Sequence, residues 1–421
     1  MKRISLEPRA DWRAKAEALG FDWHSAPTPE DPRGTYWDES AYWELTAAEV
    51  DQLEEATEEL HRMCIAAAGH VIERGLLPNF GFSPTAIDVI KDSWARRHDD
   101  QLSVYGRFDL AFGSEDSGAR QPKLLEYNAD TPTGLYEAAV VQWTWLEERF
   151  PDRDQFNSLH EGLVATWARV DGALRQSNLP QALHFTCMMP HAEDEGTLRY
   201  MLDTALEAGL SGKIVNAADI GWTTPLDGPD DALDGQFVDA EEIAITAMFK
   251  ILPWEWMLSD PFGAKLARAV RTRNLSVIEP AWKMIPANKA ILAVLWEMYP
   301  DHPNLLPAFM DRRAFSAGAT VVAKPLFGRE GANICITTLG EEGQPAAPLA
   351  SLGGTYGTEG YVYQALTPLA ESAGRDAAGN TVIHHAVIGS WVIDGVSRGI
   401  GIREDAGLIT HNRSRFVPHL F

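Results

Sequence analysis

Length and composition are those of a protein with more than one hydrophobic core. The chain has 421 residues, 45% of them hydrophobic, which is more than one ordinary domain requires. Lys and Arg number 36 against 60 Asp and Glu, so the formal net charge is −24. This negative charge argues against nucleic acid or an anionic membrane surface as a partner.

The sequence predicts neither a membrane segment nor an oxidising compartment. It contains no run of about 18 or more apolar residues, and its first residues lack the apolar stretch of a secretory signal. Three cysteines, Cys64, Cys187 and Cys335, are too few and too widely spaced for a disulfide framework or a zinc site. We therefore expect a cytoplasmic protein without a membrane partner, and the oligomeric state is not predicted.

The first 100 residues are expected to be mainly helical. Thr46 and Glu49 have the spacing of a capping box, which predicts a helix beginning at Thr46. Apolar residues then recur at helical spacing as far as Val71 and predict a face packed on the core.

Two short strands carry the most informative polar residues. In the predicted strand Val104 to Phe112, alternation places Arg107 and Asp109 on one face. In the predicted strand Lys123 to Asn128, it places Glu126 and Asn128 together. If the strands are neighbours, Asp109, Glu126 and Asn128 supply three oxygen ligands beside an arginine, a set that suits Mg²⁺.

Each of these pairs also has an interpretation in which the residues have no catalytic or ligand-binding role. Arg107 and Asp109 have the spacing of a surface ion pair. Glu126 and Asn128 have that of the polar face of an edge strand, although the turn NADTPTG that follows is typical of a functional loop.

Residues 181–278 alternate between strand and helix patterns. We predict strand Leu183 to Met188, helix Thr197 to Ala208 and strand Lys213 to Asn216, with the acidic stretch 225–235 as a loop or hairpin. A polar cluster from His191 to Glu195 follows the first strand. Its residues indicate a solvated helix start, where acidic side chains favour the helix dipole.

The next segment, 279–370, carries candidate phosphate ligands. A predicted strand, Ala319 to Ala323, ends in Lys324, and a turn with Gly328 and Gly331 follows, whose small residues let backbone N–H groups approach phosphate oxygens. Lys289 stands upstream, where an apolar helical pattern begins. Gln364 lies in a predicted buried strand, Gly360 to Leu369, of the kind whose backbone binds an adenine.

Taken together, these segments resemble the synthetase domain of the glutathionylspermidine synthase family. The resemblance covers nearly the whole chain in ordered matches, namely YWDESAYWELT, YGRFDL, LEYNADTPTGLYEA, FKILPWEWM, EPAWK with NKAIL, KPLFGREGAN, GSWVIDG, GIGIRED and SRFVPHLF. It implies an α/β (α+β) chain with the ATP-grasp fold of the glutathione synthetase type. It also implies a stand-alone synthetase, since the amidase domain that often precedes it in the family is not part of this sequence.

The family implies an acid–amine ligase that uses ATP and Mg²⁺ to make an acyl phosphate, which an amine then converts into an amide. The resemblance implies that Asp109, Glu126 and Asn128 hold magnesium and that Arg107 stabilises the transferring phosphoryl group. It implies further that the nucleotide or its phosphates are bound by Lys289, Lys324, Gly328, Gly331, Gln364 and Arg403. Arg398, Arg413 and Arg415 lie close to Arg403 in sequence and are alternatives to it. The substrates are a small-molecule or peptide carboxylate and an amine, and the residues that bind them are not predicted individually. Because family members that bind polyamines use acidic side chains in this region, the resemblance also offers the cluster from His191 to Glu195 as an amine site.

We expect five regions along the chain: a helical segment 1–100, a core sheet with the magnesium ligands 101–180, an α/β substrate lobe 181–278, a lid lobe 279–370, and strands 371–421 that return to the core.

One alternative function is a nucleotide-binding protein of this fold without ligase activity. The other is a hydrolase in which Asp109 and Glu126 act as acid and base. The hydrolase hypothesis does not explain Lys324 or Asn128, and it predicts activity without ATP.

Overall fold

A computed structural model describes most of the chain. The described residues are 1–25, 34–100, 102–113, 121–176, 182–224, 233, 235–375 and 381–421. Most of the acidic stretch 225–235, predicted as a loop or hairpin, lies outside these residues.

Eleven α-helices lie in the described part of the chain. They are α1 Trp12–Ala18, α2 Ala47–Glu73, α3 Pro84–Ala95, α4 Arg97–Asp100, α5 Gln142–Arg149, α6 Leu159–Gln176, α7 Ala192–Glu207, α8 Trp254–Ser259, α9 Gly263–Arg271, α10 Met284–Ala287 and α11 Ile291–Met298. A π-helical turn, Glu137–Val141, leads directly into α5. None of the described helices combines the length and the apolarity that crossing a membrane requires.

Twenty strands lie in the same residues. They are β1 Lys2–Ser5, β2 Ala41–Glu44, β3 Tyr105–Ala111, β4 Lys123–Asn128, β5 Ala182–Cys187, β6 Ser211–Asn216, β7 Gly221–Thr223, β8 Gln236–Val238, β9 Ala247–Lys250, β10 Ser276–Ile278, β11 Ala308–Phe309, β12 Thr320–Pro325, β13 Cys335–Thr338, β14 Ala350–Ser351, β15 Tyr361–Ala365, β16 Ala370–Arg375, β17 Thr381–Ile393, β18 Val396–Asp405, β19 Arg415–Val417 and β20 His419–Leu420.

Three of the sheets have four or more strands each. The central sheet has the order β19-β18-β17-β3-β4, with β16 paired to the first half of β17. A parallel sheet has the order β10-β9-β5-β6, and an antiparallel five-stranded sheet has the order β11-β15-β12-β13-β14. Near the C-terminal end, β17 pairs with β3, and β18 and β19 extend the sheet beyond β17.

The central sheet is packed on both faces, and its two faces have different characters. Phe108 and Leu110 of β3 belong to a core shared with α2, α3 and α11, whereas Tyr105 belongs to a second core shared with α5, α6 and β5. Because side chains alternate along a strand, Arg107 and Asp109 lie on the Tyr105 face. The predicted alternation is confirmed, and α2 covers the face away from the polar residues.

Local sequence signals explain several element boundaries. The capping box of α2 is confirmed, with the Thr46 side chain accepting from the Glu49 N–H and the Glu49 carboxylate accepting from the Thr46 N–H. The predicted helix Thr197 to Ala208 was wrong at its start, since α7 begins at Ala192. His191 supplies the cap there, its Nδ1 accepting from the Asp194 N–H at 3.3 Å, and histidine is not one of the residues that mark a helix start in sequence.

Two further predictions need adjustment. The strand predicted to begin at Ala319 and to end in Lys324 is β12, Thr320–Pro325, so both of its ends lie one residue later in the chain. The N-terminal 100 residues contain β1 and β2, which the sequence analysis did not predict. They form a small sheet with β20, in which β2 pairs in parallel with the C-terminal strand.

Candidate functional site

A cavity of about 400 Å³ opens where the three sheets approach one another. Its lining comes from the polar face of β3 and β4, the turn that follows β4, the start of α7, the start of α8, the loop 329–331 and the loop 410–412. Residues far apart in the sequence therefore meet around one space.

The pairing of β3 with β4 places the predicted metal ligands side by side. Asp109 lies directly opposite Glu126, and Arg107 lies opposite Asn128. The Arg107 guanidinium donates to both Asp109 oxygens, at 2.7 and 3.2 Å, and to the Thr133 carbonyl. The side chains of Arg107 and Asp109 are only 18% and 16% exposed, and both line the cavity, so this is not an ion pair on the outer surface.

The two lysines approach this group from the opposite side. Lys289 Nζ lies 2.9 Å from Glu126 Oε2 and donates to the Gly328 carbonyl at 2.7 Å. Lys324 Nζ donates to the Leu125 carbonyl and to Gln364 Oε1, both at 2.7 Å. These contacts join β4 to the loop that carries Gly328 and to the five-stranded sheet.

Charge and burial give the site residues different affinities for protons. Burial alone would raise the pKa of Glu126, but the ammonium groups of Lys289 and Lys324 lower it to about 2. Burial lowers the pKa of Lys324 to about 8, in spite of the attraction of Glu126. Burial raises the pKa of Asp109, with Arg107 acting in the opposite direction. Negative and positive charge are therefore closely balanced around the two carboxylates.

The residues present fit a magnesium ion that also binds phosphate oxygens. No cluster of three or more His, Cys, Asp or Glu side chains suited to a metal occurs in the described residues. Mg²⁺ needs fewer protein ligands, since it is usually held by one or two carboxylates together with substrate phosphates and water. Asp109 and Glu126 supply the carboxylates. Asn128 donates its Nδ2 to Glu126 at 3.1 Å, which leaves its amide oxygen as the ligand it can offer.

Arg403 lines the same cavity from β18, two strands away from β3 in the central sheet. It projects from β18, donates to the Ser414 and His411 carbonyls at 2.9 and 2.8 Å, and stacks 5.1 Å above the Tyr36 ring. Of the four neighbouring arginines that the sequence left open, Arg403 is the one that lines the cavity. Arg415 instead pairs with Asp38 at 2.7 Å.

Gly328 and Gly331 lie in the loop that closes one side of the cavity. Gly331 has a φ of +72°, and a Cβ there would stand 2.5 Å from the Thr410 carbonyl oxygen, so a larger residue does not fit. Between the two glycines, Arg329 donates to Thr131 Oγ1 at 2.9 Å and to Glu255 Oε1 at 2.8 Å. Sequence reasoning missed Arg329 as a contact residue, although it lies inside the quoted KPLFGREGAN segment.

The acidic start of α7 forms another part of the wall. Glu193 and Asp194 line the cavity, and burial raises the pKa of each. The sequence has two interpretations at this cluster, a solvated helix start and an amine site. The buried carboxyl Glu137 lies behind the wall, and sequence reasoning missed it, although it lies inside the quoted LEYNADTPTGLYEA segment.

Comparison with known proteins agrees with this architecture. The model of the glutathionylspermidine synthase preATP-grasp family matches residues 3–421. A Haemophilus influenzae protein to which acid–amine ligase activity is ascribed is 36% identical over 426 residues, covering all of both chains. Trypanothione synthetase of Crithidia fasciculata is 29% identical over 78% of this chain, which spans about half (49%) of that enzyme.

The structural comparison concerns the fold alone. A glutathione synthetase-like effector from Globodera pallida, solved in its apo form, superposes with a TM-score of 0.54 over 97% of this chain and 96% of that one, at 9% sequence identity. The fold is therefore of the glutathione synthetase-like, ATP-grasp type. The relatives are ligases, and this chain is an enzyme of the same class. The chain belongs to the glutathionylspermidine synthase preATP-grasp family.

Proposed function

We propose that the chain joins a carboxylic acid to an amine at the expense of ATP, by way of an acyl phosphate. The observation that carries the proposal is the pairing of Asp109 with Glu126 beside Arg107, with Lys289 and Lys324 reaching the same strand from the lid side. Phosphoryl transfer requires this combination of positioned charges more than it requires covalent help from the protein.

The nucleotide phosphates are proposed to bind beside the lysines and the carboxylates, where phosphate oxygens would take the place of the direct contact of 2.9 Å between Lys289 and Glu126. Lys289 and Lys324 neutralise phosphate charge, and the loop with Gly328 and Gly331 supplies backbone N–H groups at close range. Gln364 holds Lys324 in place through its Oε1 and donates its Nε2 to the Leu124 carbonyl at 2.8 Å. A magnesium ion at Asp109, Glu126 and Asn128 would neutralise charge on the phosphates and orient them.

Arg107 is placed to act on the transferred group. Its guanidinium is fixed by Asp109 on one side and by the Thr133 carbonyl on the other. A fixed cation stabilises the charge that develops on the phosphoryl oxygens and then on the acyl phosphate, because it does not have to reorganise during the reaction. Arg403, which lines the same cavity from β18, is the proposed anion contact for the acid or its phosphate.

The amine is proposed to enter along the start of α7. Glu193 and Asp194 present carboxyl groups to the cavity, which favours a positively charged substrate. The family name and the relatives make a thiol-containing peptide and a polyamine the first candidates, and we include both as substrates to be tested.

The test is ADP release by purified protein with MgATP, across carboxylates that include glutathione and short peptides, each with and without polyamines and amino acids. The ligase predicts release that depends on both an acid and an amine. Tight ATP binding with no release in any mixture would instead indicate a nucleotide-binding protein without ligase activity. Substrate turnover without ATP would indicate a hydrolase.

A further inference from the structure

Backbone carbonyls hold one edge of the Arg403 guanidinium. Its Nε donates to the Ser414 carbonyl at 2.9 Å, and its Nη2 donates to the His411 carbonyl at 2.8 Å. A guanidinium carries five N–H donors in a planar fork, so these two bonds leave both N–H groups of Nη1 and one of Nη2 to bind an anion. Two bonds along one edge still allow the plane to swing about that edge, so a further contact is needed to fix it.

The Tyr36 ring supplies a contact on the face of the guanidinium. The Cζ of Arg403 lies 5.1 Å from the centre of the ring, which is within the range of a cation–π interaction, about 6 Å. Tyr36 is only 4% exposed, and such interactions are stronger where water is excluded. The ring therefore opposes the swing that the two carbonyl contacts allow.

Tyr36 is in turn fixed at its backbone and at its hydroxyl. Its carbonyl accepts from the Phe416 N–H at 2.6 Å, and Phe416 is the residue of β19 that lies opposite Arg403. Its hydroxyl donates to Glu137 Oε1 at 2.8 Å. Both contacts keep the ring at the position in the central sheet from which Arg403 projects.

Glu137 is a buried anchor for this hydroxyl. It begins the π-helical turn Glu137–Val141, has no solvent exposure, and also accepts from Trp23 Nε1 at 2.9 Å. Burial raises the pKa of Glu137 to about 7, whereas the two hydrogen bonds lower it. The Trp23 ring is itself confined, since a Cβ on Gly196 of α7 would stand 2.0 Å from it. The contacts that lead from Trp23 to Arg403 therefore leave little room for movement.

We propose that Tyr36 is a positioning residue of the anion site, which keeps the Arg403 guanidinium in the orientation that binds the carboxylate of the acid substrate. Arg403 lines the cavity and Tyr36 does not, so Tyr36 acts through Arg403. A guanidinium that is already ordered loses less conformational freedom when the carboxylate binds. Tyr36 should therefore affect the affinity for the acid and not the affinity for ATP. The inference rests on the proposed ligase function.

The test is steady-state kinetics with an acid and an amine that are active in the substrate panel. Tyr36→Phe keeps the ring face, whereas Tyr36→Leu removes it and keeps an apolar side chain. Loss of a buried cation–π contact should raise the KM for the acid about tenfold in Tyr36→Leu, with the KM for ATP within about twofold of wild type. In Tyr36→Phe the KM for the acid should stay within about threefold of wild type. A rise of equal size in both variants, or no rise in Tyr36→Leu, would overturn the proposal.

Tyr42→Leu is the matched control for the loss of a buried tyrosine. Tyr42 is 8% exposed, and its ring packs on Trp145 at 5.8 Å. Both leucine variants should unfold at a lower denaturant concentration, but only Tyr36→Leu should change the KM for the acid. If Tyr36 acts through Arg403, adding Tyr36→Leu to Arg403→Met should not raise this KM further, and additive effects would contradict the proposal.

A second measurement does not depend on the folding of Tyr36→Leu. A fluorinated phenylalanine at position 36 keeps the shape of the ring and withdraws electron density from its face, so the KM for the acid should rise at least about threefold above that of Tyr36→Phe. An unchanged KM would refute the role of Tyr36 and leave the ligase function in place. If the wild-type protein releases no ADP with any acid and amine, the proposed function itself is wrong, and the inference falls with it.

Discussion

Glu137 also makes the stability of the fold depend on pH in a direction opposite to that of most carboxyl groups. Its pKa is about 7 in the folded chain and ordinarily 4.5. A group whose pKa is raised on folding contributes its full stabilisation below pH 4.5, where it is protonated in both states. That contribution is lost as the pH rises towards 7, because the unfolded chain releases the proton first.

The size of the effect follows from the shift. One pH unit corresponds to about 1.36 kcal/mol, so a rise from 4.5 to about 7 amounts to about 3 kcal/mol of free energy of unfolding, lost between pH 4.5 and pH 7. Glu137→Gln is neutral at every pH and does not have this dependence. Relative to the wild type, the variant should therefore gain about 3 kcal/mol between pH 5 and pH 8.

The assay is denaturant unfolding of both proteins at pH 5 and pH 8, followed by the fluorescence of the 14 tryptophans. Asp311→Asn serves as the matched control. Hydrogen bonds from Arg313 lower the pKa of Asp311 to about 2 in the folded chain, so its contribution is present above pH 3.8 and is lost only as the pH falls towards 2. Its difference from the wild type should be constant between pH 5 and pH 8. A constant difference for Glu137→Gln as well would refute the reasoning.

Three further predictions concern the proposed site and its support. Glu126→Gln should abolish Mg-dependent ADP release, whereas Glu44→Gln, which removes a surface pair with Arg153, should leave the rate within about twofold of wild type; an active Glu126→Gln protein would exclude the metal assignment. ATP affinity measured by calorimetry should fall as the pH rises past about 8, because Lys324 then loses its proton, and Lys324→Met should bind weakly with little pH dependence. Lys250→Met should destabilise the fold by about 3–5 kcal/mol in denaturant unfolding, because it leaves the buried Asp130 carboxylate unpaired. Adding Asp130→Asn should restore much of that loss, and no recovery in the double variant would argue against the pair.

Local sequence signals predicted those parts of the site that depend on neighbours within the same strand. Alternation along β3 and β4 placed Arg107, Asp109, Glu126 and Asn128 on polar faces. The mutual register of the strands did not follow from the pattern, because a single-residue irregularity interrupts the pairing after Asp109. Leu124 lies opposite Leu110 and Glu126 opposite Asp109, so the extra residue Leu125 also shifts the alternation of side chains along β4.

Long-range contacts account for what was missed. The partners of Glu137 are Trp23 and Tyr36, which precede it by 114 and 101 residues. The contact of Lys324 with the Leu125 carbonyl spans 199 residues. A sequence pattern describes one element at a time, so neither the burial of Glu137 nor the fixed position of the Lys324 ammonium group can be read from it. The segment KPLFGREGAN, which contains Arg329, is recognisable in the sequence. The pairing of Arg329 with Glu255 is not.

The turn that follows β4 explains why residues from separate sheets form one site. Asp130 pairs with Lys250 at the end of β9 and also accepts from the Trp254 N–H at 3.1 Å. Thr131 accepts from Arg329 of the loop 329–331, and the Thr133 carbonyl accepts from Arg107. Seven residues, 128–134, therefore contact the parallel sheet, the loop after β12 and the central sheet. Asn128, the first of them, is the last residue of β4 and lies opposite Arg107. The turn therefore connects the strand that carries two of the proposed metal ligands directly with the loop 329–331 and with the parallel sheet.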